Sequence, residues 1–227
     1  MDVDTRTNSA TGCQAVTFGD TLVRLEAGLR AELPGAAAHA RLAPVPRRAW
    51  PIGFDPGRIR DAAGLLLTFP VDGRAHVILT VRADTLGRHG GQVSLPGGVV
   101  DPGETYEDAA LREAHEEVAL PLDEVRVLGA LTPLDIPVSG FRLHPIVAVS
   151  PARPLLTPSD GEVARILEVA VDELLNPRHF VTTEREREGV ALTVPSFRVG
   201  DVEIWGATAM VVAEFLALLG WMGGTIP

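Results

Sequence analysis

The 227-residue sequence contains no lysine; all 20 of its basic residues are arginine. Codon bias is the simplest source of that usage, but the absence has chemical consequences. Schiff-base catalysis and the lysine of a Walker A phosphate loop are both excluded. Cysteine is almost as scarce: Cys13 stands alone in a polar N-terminal stretch. A disulfide framework and a cysteine zinc cluster are therefore excluded. There is no basic run, and the formal net charge is −10, which argues against nucleic acid as a partner. A membrane partner is not expected either. The longest apolar stretch, residues 207–222, falls short of the ~20 residues of a membrane span and contains Glu214. It reads as a buried C-terminal helix. The opening MDVDTRTNSATG lacks the basic and apolar regions of a signal peptide, so a cytoplasmic location is expected. Aromatics make up 5% of the chain, and Tyr106 and the tryptophans read as packing groups rather than base-stacking platforms.

What is present suits a well-cored protein: 46% of residues are hydrophobic and the mean hydropathy is +0.18. The length fits one sizeable domain with an appended segment. Asp20 is placed to cap a short helix carrying a stripe of Leu22, Leu25, Leu29 and Leu33, ended by Pro34. Residues 34–57 read as a connector rich in Ala, Pro and Arg. The β-prone runs Ala62–Phe69 and His76–Val81 flank Val71-Asp72-Gly73-Arg74 and predict a hairpin. Arg82–Leu95 reads as an irregular loop, with a short strand at Val99 and Val100. Further strands are expected at Val125–Thr132, Phe141–Val149 and Glu162–Val169, then a short helix at Val171–Leu175. Val190–Val199 and Val202–Ile204 predict a second hairpin, and a helix from Ala207 closes the chain. Strands with two substantial helices imply a mixed sheet covered on both faces.

One stretch carries chemistry: SLPGGVVDPGETYEDAALREAHEEV, residues 94–118. Thr105 can cap a helix over Tyr106–Val118, although Asp108 stands where a capping box prefers Glu or Gln. On that helix Glu113, Glu116 and Glu117 share one face, with Leu111, Ala114 and Val118 roughly opposite. A solvated acidic face is one reading of three such carboxylates. A site for a hard divalent cation, which would relieve their repulsion, is the other.

The wider frame decides between them. Gly98, Glu104, Arg112-Glu113 and Glu116-Glu117 resemble the signature of the Nudix hydrolases, G-x5-E-x7-R-E-U-x-E-E-x-G-U, at six of its seven fixed positions. Six such matches arise by chance on the order of once in 10⁷ windows. Ala119 replaces the final glycine, and Ala114 stands where a larger aliphatic is usual. The resemblance implies an α/β fold, an α/β/α sandwich with a mixed β-sheet. Residues 1–54 would be an N-terminal extension and residues 55–227 the hydrolase domain. It also implies Mg²⁺ or Mn²⁺, held by Glu113, Glu117 and Glu116 with help from the Gly98 carbonyl. Arg112 and Glu104 would form an ion pair that fixes the loop. The general base would be Glu116 or Glu117, or else Glu162 on a downstream loop.

A second pattern lies upstream. Ile78-Leu79-Thr80-Val81-Arg82-Ala83, Gly91 and Leu95-Pro96-Gly97-Gly98 resemble the motif L-L-T-x-R-[SA]-x3-R-x3-G-x3-F-P-G-G of the coenzyme A pyrophosphatase branch. Gly87 stands in place of its second arginine, with Arg88 adjacent. This resemblance implies metal-dependent hydrolysis of coenzyme A or its derivatives to 4′-phosphopantetheine (or its acyl form) and adenosine 3′,5′-bisphosphate. A Nudix enzyme for ADP-ribose or another nucleoside diphosphate derivative, and a catalytically silent nucleotide sensor, are the rivals. Arg82, Arg88, His89 and Ser139 are the candidate contacts to a small-molecule nucleotide, and a homodimer is left open. His115 reads as a packing group.

Overall fold

The computed structural model describes residues 16–83, 91–187 and 189–223. Helix α1 (Phe18–Arg30) is capped by Thr17 rather than Asp20. The Thr17 hydroxyl accepts from the Asp20 N–H (3.1 Å) and donates to the Asp20 carboxylate (2.7 Å), so the expected cap became the first-turn partner of the real one. The helix stops before Leu33, and the connector that follows holds a second helix, α2 (Gly35–Ala40), six residues too short to show a periodicity. Strands β1 (Arg60–Val71) and β2 (Arg74–Arg82) form the predicted hairpin. Its turn residues have positive φ, 49° at Asp72 and 77° at Gly73, as a tight two-residue turn requires.

Three strands escaped the sequence reading: β3 (Val93–Ser94), β6 (Leu134–Ile136) and β9 (Phe180–Arg187). The first two are too short to show an alternation, and β9 is too charged to look β-prone. The others lie close to expectation: β4 (Gly97–Val99), β5 (Arg126–Ala130), β7 (Phe141–Val149), β8 (Val163–Ala170), β10 (Val190–Val199) and β11 (Val202–Trp205). Helices α3 (Tyr106–Val118), α4 (Val171–Leu175) and α5 (Gly206–Leu218) complete the chain. None of these helices is long and apolar enough to cross a membrane.

The main sheet runs β3-β2-β1-β7-β5, with β4 on β1, β6 on β7 and β8 on β2. It is mixed: β1 and β7 are parallel and the other pairs antiparallel. Alternation along β1 divides the core between the two faces. Leu65, Leu67 and Phe69 pack with Ala110, Ala114 and Val118 of α3 on one face. Leu66, with Val77 and Leu79, packs toward Leu25 of α1 and Phe215 of α5 on the other. The result is an α/β/α sandwich, with a separate β9-β10-β11 meander beside α5.

Glu214 holds the α5 layer together. Its carboxylate is fully buried and accepts from the Gly35 N–H (3.0 Å), the Thr132 N–H (3.1 Å) and the Thr132 hydroxyl (2.6 Å), and it pairs with His39 Nε2 at 2.8 Å. Burial opposes its charge, but the bonds from His39, Thr132 and Gly35 win, and its pKa lies below the ordinary 4.5. The stability this contributes is present above pH 4.5 and fades as pH falls through the depressed value. Removing one partner of a buried pair costs about 3–5 kcal/mol. Glu214→Ala should therefore cost about that much in denaturant unfolding at neutral pH, and should flatten the acid limb of stability below pH 4.5. Helix α3 ends at Ala119 in the left-handed conformation, φ 53° and ψ 36°. An L-residue there costs ~1–2 kcal/mol. Ala119→Gly should raise stability by about 1 kcal/mol, read as an increase in Tm without loss of activity.

Candidate active site

Helix α3 positions the acidic side chains. Thr105 caps it, accepting from the Asp108 N–H (3.1 Å) and donating to the Asp108 carboxylate (2.6 Å). The shorter Asp thus bonds the capping hydroxyl itself, and the helix begins where the sequence placed it. Its apolar side is buried against β1, which turns Glu113 and Glu117 toward β4. Glu117 is 7% exposed and accepts from the Gly97 N–H at 3.2 Å. Glu113 lies on Gly98 so closely that a Cβ there would sit 2.4 Å from its carboxyl carbon. A Cβ on Gly97 would sit 2.3 Å from the Ala63 carbonyl oxygen. The double glycine lets strand, sheet and helix meet at this point.

Arg112 binds the loop to the helix. Its Nε and one terminal nitrogen donate to the two oxygens of Glu104 (2.9 and 3.1 Å), that terminal nitrogen also reaches the Val99 carbonyl (3.0 Å), and the other donates to Glu113 (2.8 Å). Glu104 also accepts from the Asp101 N–H at 3.1 Å. The Arg112 guanidinium holds Glu104 below the usual carboxylate range. Glu104, then Glu113, push Arg112 up, so it is always charged. This is the loop-fixing pair expected from the sequence, extended to a carboxylate of the site.

The three glutamates do not converge equally. Glu113 and Glu117 approach β4, but the Glu116 side chain is 59% exposed and leans toward Arg112 at 3.6 Å. Among the described residues no group of three or more His, Cys, Asp or Glu is already spaced around a cation. Two carboxylates and a peptide carbonyl are nevertheless the hard oxygen donors that a divalent cation takes. Strand register bears on which carbonyl faces them. The bonds Leu65 N–H to Pro96 O and Val100 N–H to Asp61 O set the β1–β4 register, with Ala63 opposite Gly98. Hydrogen-bonded pairs alternate along an antiparallel ladder, so Gly98 turns its carbonyl toward β1. Gly97 turns its N–H, bonded to Glu117, and its carbonyl away from β1. Gly97, not Gly98, thus presents a carbonyl beside the carboxylates.

Burial pushes the Glu117 carboxyl up to about 7; the Gly97 N–H and Arg82 oppose that rise, while Glu113 and Glu162 add to it. Arg82, at the end of β2, and Glu162, on the loop into β8, therefore belong to the same electrostatic neighbourhood. The backbone ties them together: the Ala83 N–H donates to the Glu162 carbonyl (2.9 Å), and the Ser159 N–H to the Glu117 carbonyl (2.8 Å). Ser139 lies on the β6–β7 turn, where its N–H and hydroxyl both donate to the Ile136 carbonyl. His115 is exposed and holds the Leu120 carbonyl at 2.9 Å, a helix-end bond instead of the expected packing. Tyr106 packs as expected, stacked on His144 with ring centroids 3.6 Å apart. Cys13, Gly87, Arg88 and His89 lie outside the described residues.

The two glycines predict opposite phenotypes. Gly98→Ala meets only the carboxyl end of the Glu113 side chain, so stability should change by less than about 1 kcal/mol while the displaced carboxylate lowers activity about 10–100-fold, roughly the effect of disturbing a metal's supporting shell. Gly97→Ala meets backbone and should lose about 1–3 kcal/mol in thermal unfolding.

The site can be set beside known proteins. The NUDIX domain family matches residues 58–187. The chain is 40% identical over 137 residues to an uncharacterized Nudix hydrolase, NudL, of Yersinia pestis, a match covering 60% of this chain and 68% of that protein. The NudL of Yersinia pseudotuberculosis matches with the same figures. Among solved structures, a Nudix hydrolase from M. smegmatis, RenU, aligns with a TM-score of 0.50 at 25% identity, covering 74% of this chain and 88% of that one. The family match runs through the β1–β2 hairpin, the double glycine, α3 and the Glu162 loop, and on these grounds the chain belongs to the Nudix hydrolases, enzymes that cleave pyrophosphate bonds.

Proposed function

We propose that this Nudix hydrolase, whose class acts on nucleoside diphosphate derivatives, cleaves the pyrophosphate of coenzyme A or its derivatives. The products would be 4′-phosphopantetheine, or its acyl form, and adenosine 3′,5′-bisphosphate. One observation carries the reading. Two residues of the run Ile78 to Gly98, which resembles the coenzyme A pyrophosphatase motif, act on Glu117: Arg82 through its charge and Gly97 through its N–H. The described parts of the motif on either side, Arg82 and Gly97, thus both border Glu117.

The chain's own residues divide the work. Glu113, Glu117 and the Gly97 carbonyl are the groups to hold Mg²⁺ or Mn²⁺, with Glu116 at the solvent side. When bound, the cation neutralises the pyrophosphate and lowers the pKa of water. Arg82 supplies a fixed positive charge at the mouth of the cleft, suited to a phosphate oxygen. Arg112 keeps Glu113 in place and is too engaged with carboxylates to grip substrate. The proton leaving the attacking water needs a carboxylate acceptor within reach. Glu162 suits that role because it is exposed and its charge is felt at Glu117. Water then adds to phosphorus, the P–O–P bridge breaks, and two phosphate monoesters leave.

The reading is tested by product analysis with chromatography, after incubation with Mg²⁺ or Mn²⁺ and, separately, coenzyme A, acetyl-coenzyme A, ADP-ribose and diadenosine polyphosphates. Adenosine 3′,5′-bisphosphate from the coenzyme A samples alone is the expected result. AMP from ADP-ribose alone would overturn the substrate and leave the enzyme class standing. Glu117→Gln should abolish turnover with the thermal transition retained. Glu162→Gln should lower kcat by about 10²–10⁴ with little change in KM; near-normal kcat in that variant would return the base to Glu116 or Glu117.

A further inference from the structure

No long basic run stands in the sequence, but one loop and its flanks are rich in arginine. Four arginines, Arg47, Arg48, Arg58 and Arg60, and a single acid, Asp55, fall between residues 47 and 60 of a chain whose formal charge is −10. All four arginines are exposed. Asp55 is engaged by the loop itself, accepting from the Gly57 N–H at 2.9 Å. At the centre of the loop the Phe54 N–H donates to the Pro51 carbonyl (3.0 Å), and Gly53 has φ 76°. This is a tight turn with Ile52 at its apex, and Ile52 is completely exposed, at 107% of its reference area. Trp50 and Phe54 flank the apex and stack at 4.5 Å. The loop has a base: the Trp50 indole bonds Asp135, which Arg142 also holds at 2.7 Å.

An aliphatic apex, an aromatic pair beneath it and a cationic rim are the parts of an interfacial anchor. The tip enters the boundary between headgroups and chains, the indole lies at headgroup level with its polar edge bonded, and the arginines meet phosphate. We propose that this loop docks the enzyme on an anionic phospholipid surface. The expectation of no membrane partner rests on the want of a spanning helix, which does not bear on a surface contact. RNA fits the loop less well. An exposed isoleucine gives phosphates nothing, and the two rings here cover each other instead of opening a face to a base. The acidity of the rest of the chain does not oppose docking at physiological salt, where fields decay over about 8 Å and the charge nearest the lipid dominates.

The experiment is co-sedimentation of the full chain with vesicles of phosphatidylglycerol or of phosphatidylcholine. Binding to phosphatidylglycerol alone, abolished at high salt, is expected. Ile52→Asp and the double variant Arg47→Glu/Arg58→Glu should each weaken it about tenfold, with hydrolysis of a soluble substrate unchanged. Equal behaviour toward the two lipids, wild-type binding by Ile52→Asp, or capture of single-stranded RNA without capture of vesicles would overturn the proposal.

Discussion

The approach of α3 to the sheet is set where Gly97 and Gly98 lack side chains, and the chemistry of the cleft depends on that approach. A helix normally packs on a sheet across a layer of side chains. Here the Glu113 carboxylate occupies the space that a Cβ on Gly98 would fill, and Gly97 donates its N–H to Glu117. The ladder with β1 then decides which peptide carbonyl faces the carboxylates. Loop, helix and strand do not merely carry site residues. Their contact is the site, and Arg112 closes it by tying Glu104, Glu113 and the Val99 carbonyl into one network.

The distribution of charge follows from that geometry. A protein of formal charge −10 must bind an anion, and arginines of the described residues are committed to acids. Arg112 is held by Glu104 and Glu113, and Arg142 by Asp135. Among the described residues, the cation acting on Glu117 is Arg82, set against the charges of Glu113 and Glu162. Such a field disfavours an anion, and a bound divalent cation would reverse it. The raised pKa of Glu117 reports the same imbalance from the carboxyl's side: burial favours its neutral form.

The parts legible in the sequence were those with long periods or fixed spacings. The β1–β2 hairpin, α3 and its Thr105 cap, β7, α4 and the β10–β11 hairpin stand where their patterns placed them. So do the Arg112–Glu104 pair and the buried C-terminal helix. What was missed was either short or decided by three-dimensional context. A six-residue α2 has too little length for a periodicity, and it is fixed instead by Glu214 from the far end of the chain. The choice between Thr17 and Asp20 as cap turns on which hydroxyl or carboxylate meets the first N–H groups. The choice between the Gly97 and Gly98 carbonyls turns on strand register, which neither residue encodes alone. Equal helical spacing suggested that Glu116 would join its neighbours. The side-chain direction imposed by the Arg112 network leaves it in solvent.

Glu214 shows how the segments outside the family match come to serve it. The match spans residues 58–187, yet α1, α2, β10, β11 and α5 lie largely or wholly beyond it and pack on one another. The Val45–Thr193 bridge and the bond from Arg24 to the Leu219 carbonyl join the two ends of the chain directly. One carboxylate on α5 then caps α2 at Gly35, holds His39 and fixes Thr132 just after β5. The face of the sheet opposite α3 is thereby closed by helices from both termini. A buried charge there is tolerable because every one of its partners is a donor in place before the charge arrives, so burial raises its pKa less than the bonds lower it. The same sheet carries the opposite case on its other face, where Glu117 has one N–H donor and burial prevails. What separates the two buried carboxylates is the number of donors that surround each.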